Sequence, residues 1–137
     1  MDRVVALPIV FAFAVVLGVA GCATPPVEVG RATYAESCAA CHGITGRGDG
    51  PLAGDLTKLP PDLTQISAAN GGTFPQVRVM SVIDGYTRRG HHESIMPEFG
   101  TDLGEGELVL VPTGQGILTP TPERIVALAA YLETLQE

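Results

Sequence analysis

Read as a pattern of apolar and polar positions, the chain opens with residues 4–21, an 18-residue run without a charge, preceded by Arg3 and the free amine. Residues 29–40 predict a helix in which Gly30, Tyr34 and Cys38 fall at successive i, i+4 positions on one face. The glycine-dense stretch 43–54 predicts loop, and residues 59–64 an extended segment in which Asp62 or Thr64 caps a short helix. Thr73 reads as the cap of a further helix over 75–86, with Val79, Val82, Ile83 and Tyr86 at helical spacing. Residues 90–106 predict loop. Residues 107–111 are β-prone and 114–118 follow a Pro-Thr turn, so a small hairpin is expected there. In the last helix Thr121 reads as the cap, Pro122 fits the first turn and Glu123 complements the dipole. Ile125, Leu128, Ala129, Leu132 and Leu135 make its apolar stripe. No internal repeat is visible.

With 137 residues the chain holds one small domain plus appendages. Three Tyr, four Phe and no Trp leave a protein-only core modest, so a buried macrocycle would supply missing apolar bulk. Seventeen Gly and eleven Pro predict short helices joined by long ordered loops. The formal charge of −7 argues against nucleic-acid binding, which needs basic patches. Such a charge favours solubility and steering toward basic partners.

The apolar run reads as an export signal, residues 1–21. It ends Val19-Ala20-Gly21-Cys22, small residues that resemble the lipobox of bacterial lipoproteins. That resemblance implies cleavage before Cys22 and a diacylglycerol on its thiol. Residues 22–28 then form a short lipid-anchored tether, and 29–137 the functional domain. An uncleaved anchor is the alternative, because 18 apolar residues just span a bilayer. Either reading places the domain on the periplasmic side of a bacterial membrane.

Candidate chemistry centres on Cys38-Ala39-Ala40-Cys41-His42. C-x-x-C followed at once by His is the signature of covalent c-type haem attachment: two thiols add across the two vinyl groups, and the imidazole ligates the iron. A thioredoxin-like pair needs a βαβ context, and a zinc site usually needs two such cysteine pairs; the sequence has neither. His42 is the proximal ligand in this reading. The second ring nitrogen needs an acceptor to fix the tautomer, and the Pro51 carbonyl is the candidate. Met96, in a loop and stiffened by Pro97, is preferred as the distal ligand, because Met80 sits on the apolar face of a helix and reads as core. His91 and His92 are rivals that would lower the potential. Beside Arg88 and Arg89 they read better as an exposed polar turn. Glu98, Asp102, Glu105 and Glu107 read as a solvated acidic face, or as a docking face for a basic partner.

Together these residues resemble a class I cytochrome c over most of 29–137. Cys38, Cys41 and His42 resemble its haem site, Gly50-Pro51 the proline that accepts from the ligand imidazole, and Met96-Pro97 the distal ligand. Gly30 and Tyr34, with Leu128 and Tyr131, resemble its crossing of first and last helices. The resemblance implies an all-α cytochrome c fold, about four helices around one covalent haem c and its iron. A small β-hairpin-like insert would precede the last helix. The family goes from methionine to last helix with less chain, so residues 106–120 are a departure that would fold over one haem edge or form an interface. The implied activity is single-electron transfer between membrane-associated redox proteins, as free carrier or subunit of a redox complex, without catalysis by this chain. A haem-based gas or redox sensor, or a haem enzyme with a labile sixth ligand, is the alternative.

Overall fold

The computed structural model describes residues 26–88 and 95–137. Cys22, His91 and His92, together with the export signal, lie outside the described residues. Among the described residues no helix is long and apolar enough to cross a membrane.

Three longer helices carry the frame: α1 (Pro26–Ser37), α4 (Gln76–Asp84) and α5 (Glu123–Thr134). Two single-turn helices, α2 (Ala39–His42) and α3 (Ile66–Ala69), lie between the first two, with 3-10 turns at Ala53–Asp55, Leu63–Gln65 and Tyr86–Arg88. Strands β1 (Leu108–Gly114) and β2 (Ile117–Pro122) form an antiparallel pair just before α5. The architecture is thus all-α with a two-stranded insert, as the resemblance implies.

Helix α1 begins at Pro26, three residues before the expected start, because proline is tolerated in a first turn, where its missing N–H has no partner to lose. Its first turn thus falls within the 22–28 stretch. Helix α1 crosses α5 at Gly30. A Cβ there would lie 2.6 Å from the Ala127 carbonyl carbon and 2.8 Å from Tyr131 Cβ, so only glycine allows the approach. The Tyr34 and Tyr131 rings meet beside this point with centroids 5.3 Å apart and planes tilted by 55°, an edge-to-face type of contact. Ile125, Leu128, Ala129 and Leu132 of α5 are buried as the stripe predicts, and Leu135 is half-buried.

Several local expectations give way to longer-range pairing. Thr121 does not cap α5: it sits in β2 opposite Val109, and its hydroxyl donates to the Thr119 carbonyl. The Glu123 N–H instead donates to the Glu107 carbonyl, so the hairpin itself satisfies the helix start. Thr73 is likewise no cap, since α4 begins after Pro75 without a side-chain hydrogen bond. Helix α4 ends at Asp84 because Gly85 takes the left-handed conformation (φ 93°), which leaves Tyr86 exposed rather than on the buried face. The hairpin reverses at Gln115-Gly116, not at Pro112-Thr113.

Candidate haem site

Helix α1 hands over to the attachment motif through one continuous run of hydrogen bonds. The Cys38 N–H donates to Tyr34 O (2.9 Å), His42 to Cys38 O (2.9 Å) and Gly43 to Ala39 O (2.9 Å). The two thiols and the imidazole thus sit on one turn. The Tyr34 hydroxyl donates to the Gly43 carbonyl at 2.7 Å, tying this turn to the α1–α5 crossing. Burial pushes the Tyr34 phenol well above its ordinary range, with smaller contributions from Cys38, Tyr131 and Asp49, so it is a fixed donor.

Cys38, Cys41 and His42 line a cavity of about 650 Å³. Its walls are mostly apolar, with Val79, Ile83, Leu128 and Leu132 behind the motif. Neither cysteine is in a disulfide. Burial, and secondarily the Cys41 thiol, push the Cys38 thiol up to about 11. Burial lowers the His42 pKa, opposed by the backbone acceptor at Pro61, so the ring is neutral and competent as a ligand.

That acceptor corrects one expectation. His42 Nδ1 lies 3.4 Å from the carbonyl of Pro61, not from that of Pro51. Pro51 is exposed and does not line the cavity, because the loop after His42 folds back over α2. There Gly50 N–H donates to Cys41 O and Leu52 N–H to Ala40 O. The chain then returns to the ring along residues 60–63. Leu63 N–H donates to Gly46 O (2.6 Å), and Gly48, at φ 78°, passes so close to the Pro60 carbonyl that no side chain fits. Asp62 locks the next turn by accepting from both the N–H (2.9 Å) and the hydroxyl (2.6 Å) of Thr64. These bonds from Thr64, the hydroxyl first, lower the Asp62 pKa. The expected Asp62 cap is therefore present.

The C-terminus completes this proximal strap. Gln136 donates to Leu63 O (2.9 Å) and Leu132 O (2.7 Å), and its carbonyl accepts from Ser67 N–H (2.8 Å). Arg47 pairs with Glu137, whose N–H donates to Thr64 O. Sequence reasoning missed Gln136, because a penultimate glutamine looks like a frayed end.

Met96 lines the same cavity as His42, with Ile95, Pro97 and Phe99. The segment is held by α4: Phe99 N–H donates to Ile83 O and Gly100 N–H to Asp84 O, both 3.1 Å, satisfying carbonyls at the helix end. Met80 is buried in the core and does not line the cavity, as its helical position predicts. Two cations, Lys58 and Arg78, also line the cavity and carry no sequence signal beyond their charge. The hairpin lines none of it.

A paired-thiol and imidazole turn opening on an apolar cavity within a helical shell defines a c-type haem protein; the donor set and the cavity fit that group. The family described as Cytochrome c matches residues 27–136, and the chain belongs to it. Its members bind haem c covalently, with its iron, and are generally electron carriers rather than enzymes. No curated protein matches the chain significantly.

Proposed function

We propose that this chain passes single electrons between membrane-associated redox proteins at the periplasmic face of a bacterial membrane, with His42 and Met96 as axial ligands. The observation that carries the proposal is that Met96 lines the cavity of Cys38, Cys41 and His42 while its backbone is pinned to α4. When bound, the haem supplies a one-electron iron couple. Cys38 and Cys41 hold it covalently. With the proton on Nδ1, His42 donates to the Pro61 carbonyl, which would leave the other ring nitrogen for the metal. The soft thioether of Met96 would favour the reduced iron and raise the potential. Lys58 and Arg78, which line the cavity, would pair with the propionate carboxylates, and the apolar wall would exclude water. With His42 and Met96 both engaged as ligands, a substrate would find no open position at the iron, so the chain would carry electrons and catalyse nothing by itself.

Cys22 is the lipid attachment point. Three residues, Ala23, Thr24 and Pro25, separate it from Pro26, so four steps of 3.3–3.6 Å give a reach of at most ~14 Å and the domain rides close to the bilayer. The ligation is tested by visible spectroscopy of the haem-loaded protein. The oxidised form shows a weak far-red sulfur-to-iron band that Met96→Ala abolishes, and the reduced wild type does not bind carbon monoxide at neutral pH. Carbon monoxide binding by the wild type would instead mean a sensor or an enzyme with a labile sixth ligand.

A further inference from the structure

The hairpin of β1 and β2 presents an apolar face to solvent. The register pairs Leu108 with Pro122, Leu110 with Pro120 and Pro112 with Leu118, so these residues share one side of the ladder. Leu108, Leu110 and Leu118 are each more than half exposed, and so is Ile117 at the turn. The opposite side carries Val109, Val111, Thr113 and Thr119. Val111 is buried in the core, and the hydroxyls of Thr113 and Thr119 bond at 2.9 Å. The usual arrangement of a half-solvated hairpin, polar outward, is therefore inverted on the outer side.

A contiguous exposed apolar patch with a polar rim marks an interaction surface. The chain on either side of the hairpin carries acids, and the next cation, Arg124, is paired with Glu36 at 3.7 Å. Residues 95–123 hold five acids (Glu98, Asp102, Glu105, Glu107 and Glu123) and no Lys, Arg or His. All five are exposed. We infer that the outer face of this hairpin docks a protein partner whose contact surface is apolar at its centre and ringed by Lys and Arg.

Charge selects this occupant over the others. A second copy would bring the same five acids against themselves, and like-charge juxtaposition suppresses wrong partners. An anionic lipid surface is repelled for the same reason. Addition of a partner strand is disfavoured because Pro112, Pro120 and Pro122 give no N–H, a common protection of sheet edges. The side chains of the face, not the edge, therefore make the contact. Because the hairpin lines none of the haem cavity, docking there leaves His42 and Met96 undisturbed.

The test places a photo-crosslinking benzoylphenylalanine at Leu110 in the full, haem-loaded chain, irradiated in its native membranes. The expected product is one protein adduct whose cross-linked peptide carries Lys or Arg beside apolar residues. Its yield falls on the order of tenfold in about 0.5 M salt, and comparably in the Glu105→Gln/Glu107→Gln variant. An adduct with a second copy, an adduct with lipid alone, a yield indifferent to salt and to the Gln variant, or no adduct would each overturn the inference. The haem spectrum, recorded on every variant, stays that of the parent protein. A failure of docking is thereby distinguished from a failure of the electron-carrier reading.

Discussion

Replacing Gly30 with alanine sets two effects of known size against each other. Alanine in place of glycine inside a helix gains about 1 kcal/mol of intrinsic propensity. Against that, the new methyl meets the Ala127 carbonyl carbon at 2.6 Å and Tyr131 Cβ at 2.8 Å, and its oxygen closer still. The obstacle is α5 backbone, which cannot rotate away, so the helices must part by about 1 Å. A gap of that size forfeits roughly a quarter to a half of the dispersion well of each contact across it. That contact includes the Tyr34–Tyr131 ring pair and the fully buried Leu128. Overpacking of this kind typically costs about 1–3 kcal/mol, and backbone obstruction belongs at the upper end. The expected net loss is therefore about 2 kcal/mol, up to roughly a 30-fold fall in the folded-to-unfolded ratio. Guanidinium denaturation of the haem-loaded protein, followed by far-UV circular dichroism, measures it. Gly54→Ala is the control, because a Cβ there meets nothing within 4 Å. Its stability should stay within about 0.5 kcal/mol of wild type. A Gly30→Ala variant as stable as wild type, or a Gly54→Ala variant equally damaged, would refute the account of the crossing.

Two further outcomes follow from buried or tuned polar groups. Tyr34→Phe keeps the ring against Tyr131 but removes the 2.7 Å donor to the Gly43 carbonyl, which retains the Gly46 N–H at 3.2 Å, so stability should fall by about 0.5–1.5 kcal/mol; no measurable loss in denaturant titration would show that this hydroxyl does not hold the attachment turn. Asp62 has a folded pKa below its unfolded value, so its contribution is present above the ordinary carboxylate range and is lost as pH falls through the depressed value. The stability gap between wild type and Asp62→Asn should therefore close on acidification, and a gap constant down to strongly acidic pH would contradict the Thr64 bonds as its cause.

What sequence could and could not reveal divides along the range of the interactions. The helix faces of Gly30 and Tyr34 and the apolar stripe of α5 were legible from their spacing, and the crossing of Gly30 and Tyr34 with Leu128 and Tyr131 was legible through the family resemblance, because the close approach and the ring contact each demand a particular residue type. The attachment turn was legible because its chemistry lies in five consecutive residues. The acceptor of His42 was not. Pro51 and Pro61 both follow glycine-bearing loop, and the choice falls to Pro61 through Leu63 bonding Gly46 and Gln136 bonding Leu63. Those partners are distant in sequence and leave no local mark. Thr121 misled for a related reason: Thr-Pro-Glu reads as a helix start, but pairing with Val109 claims the threonine for the strand. The hairpin was visible as β-prone sequence, whereas its outward apolar face follows only from the register that pairs Leu110 with Pro120.

The central claim is that Met96, rather than Met80 or a histidine, completes the coordination that His42 begins. Proton NMR of the reduced, haem-loaded protein tests it most directly, since the porphyrin ring current drives the methyl resonance of an axial methionine far upfield of all other methyls. The account predicts one such three-proton signal, retained in Met80→Leu and lost in Met96→Leu. A signal that survives Met96→Leu, or a wild type that shows none, would contradict it.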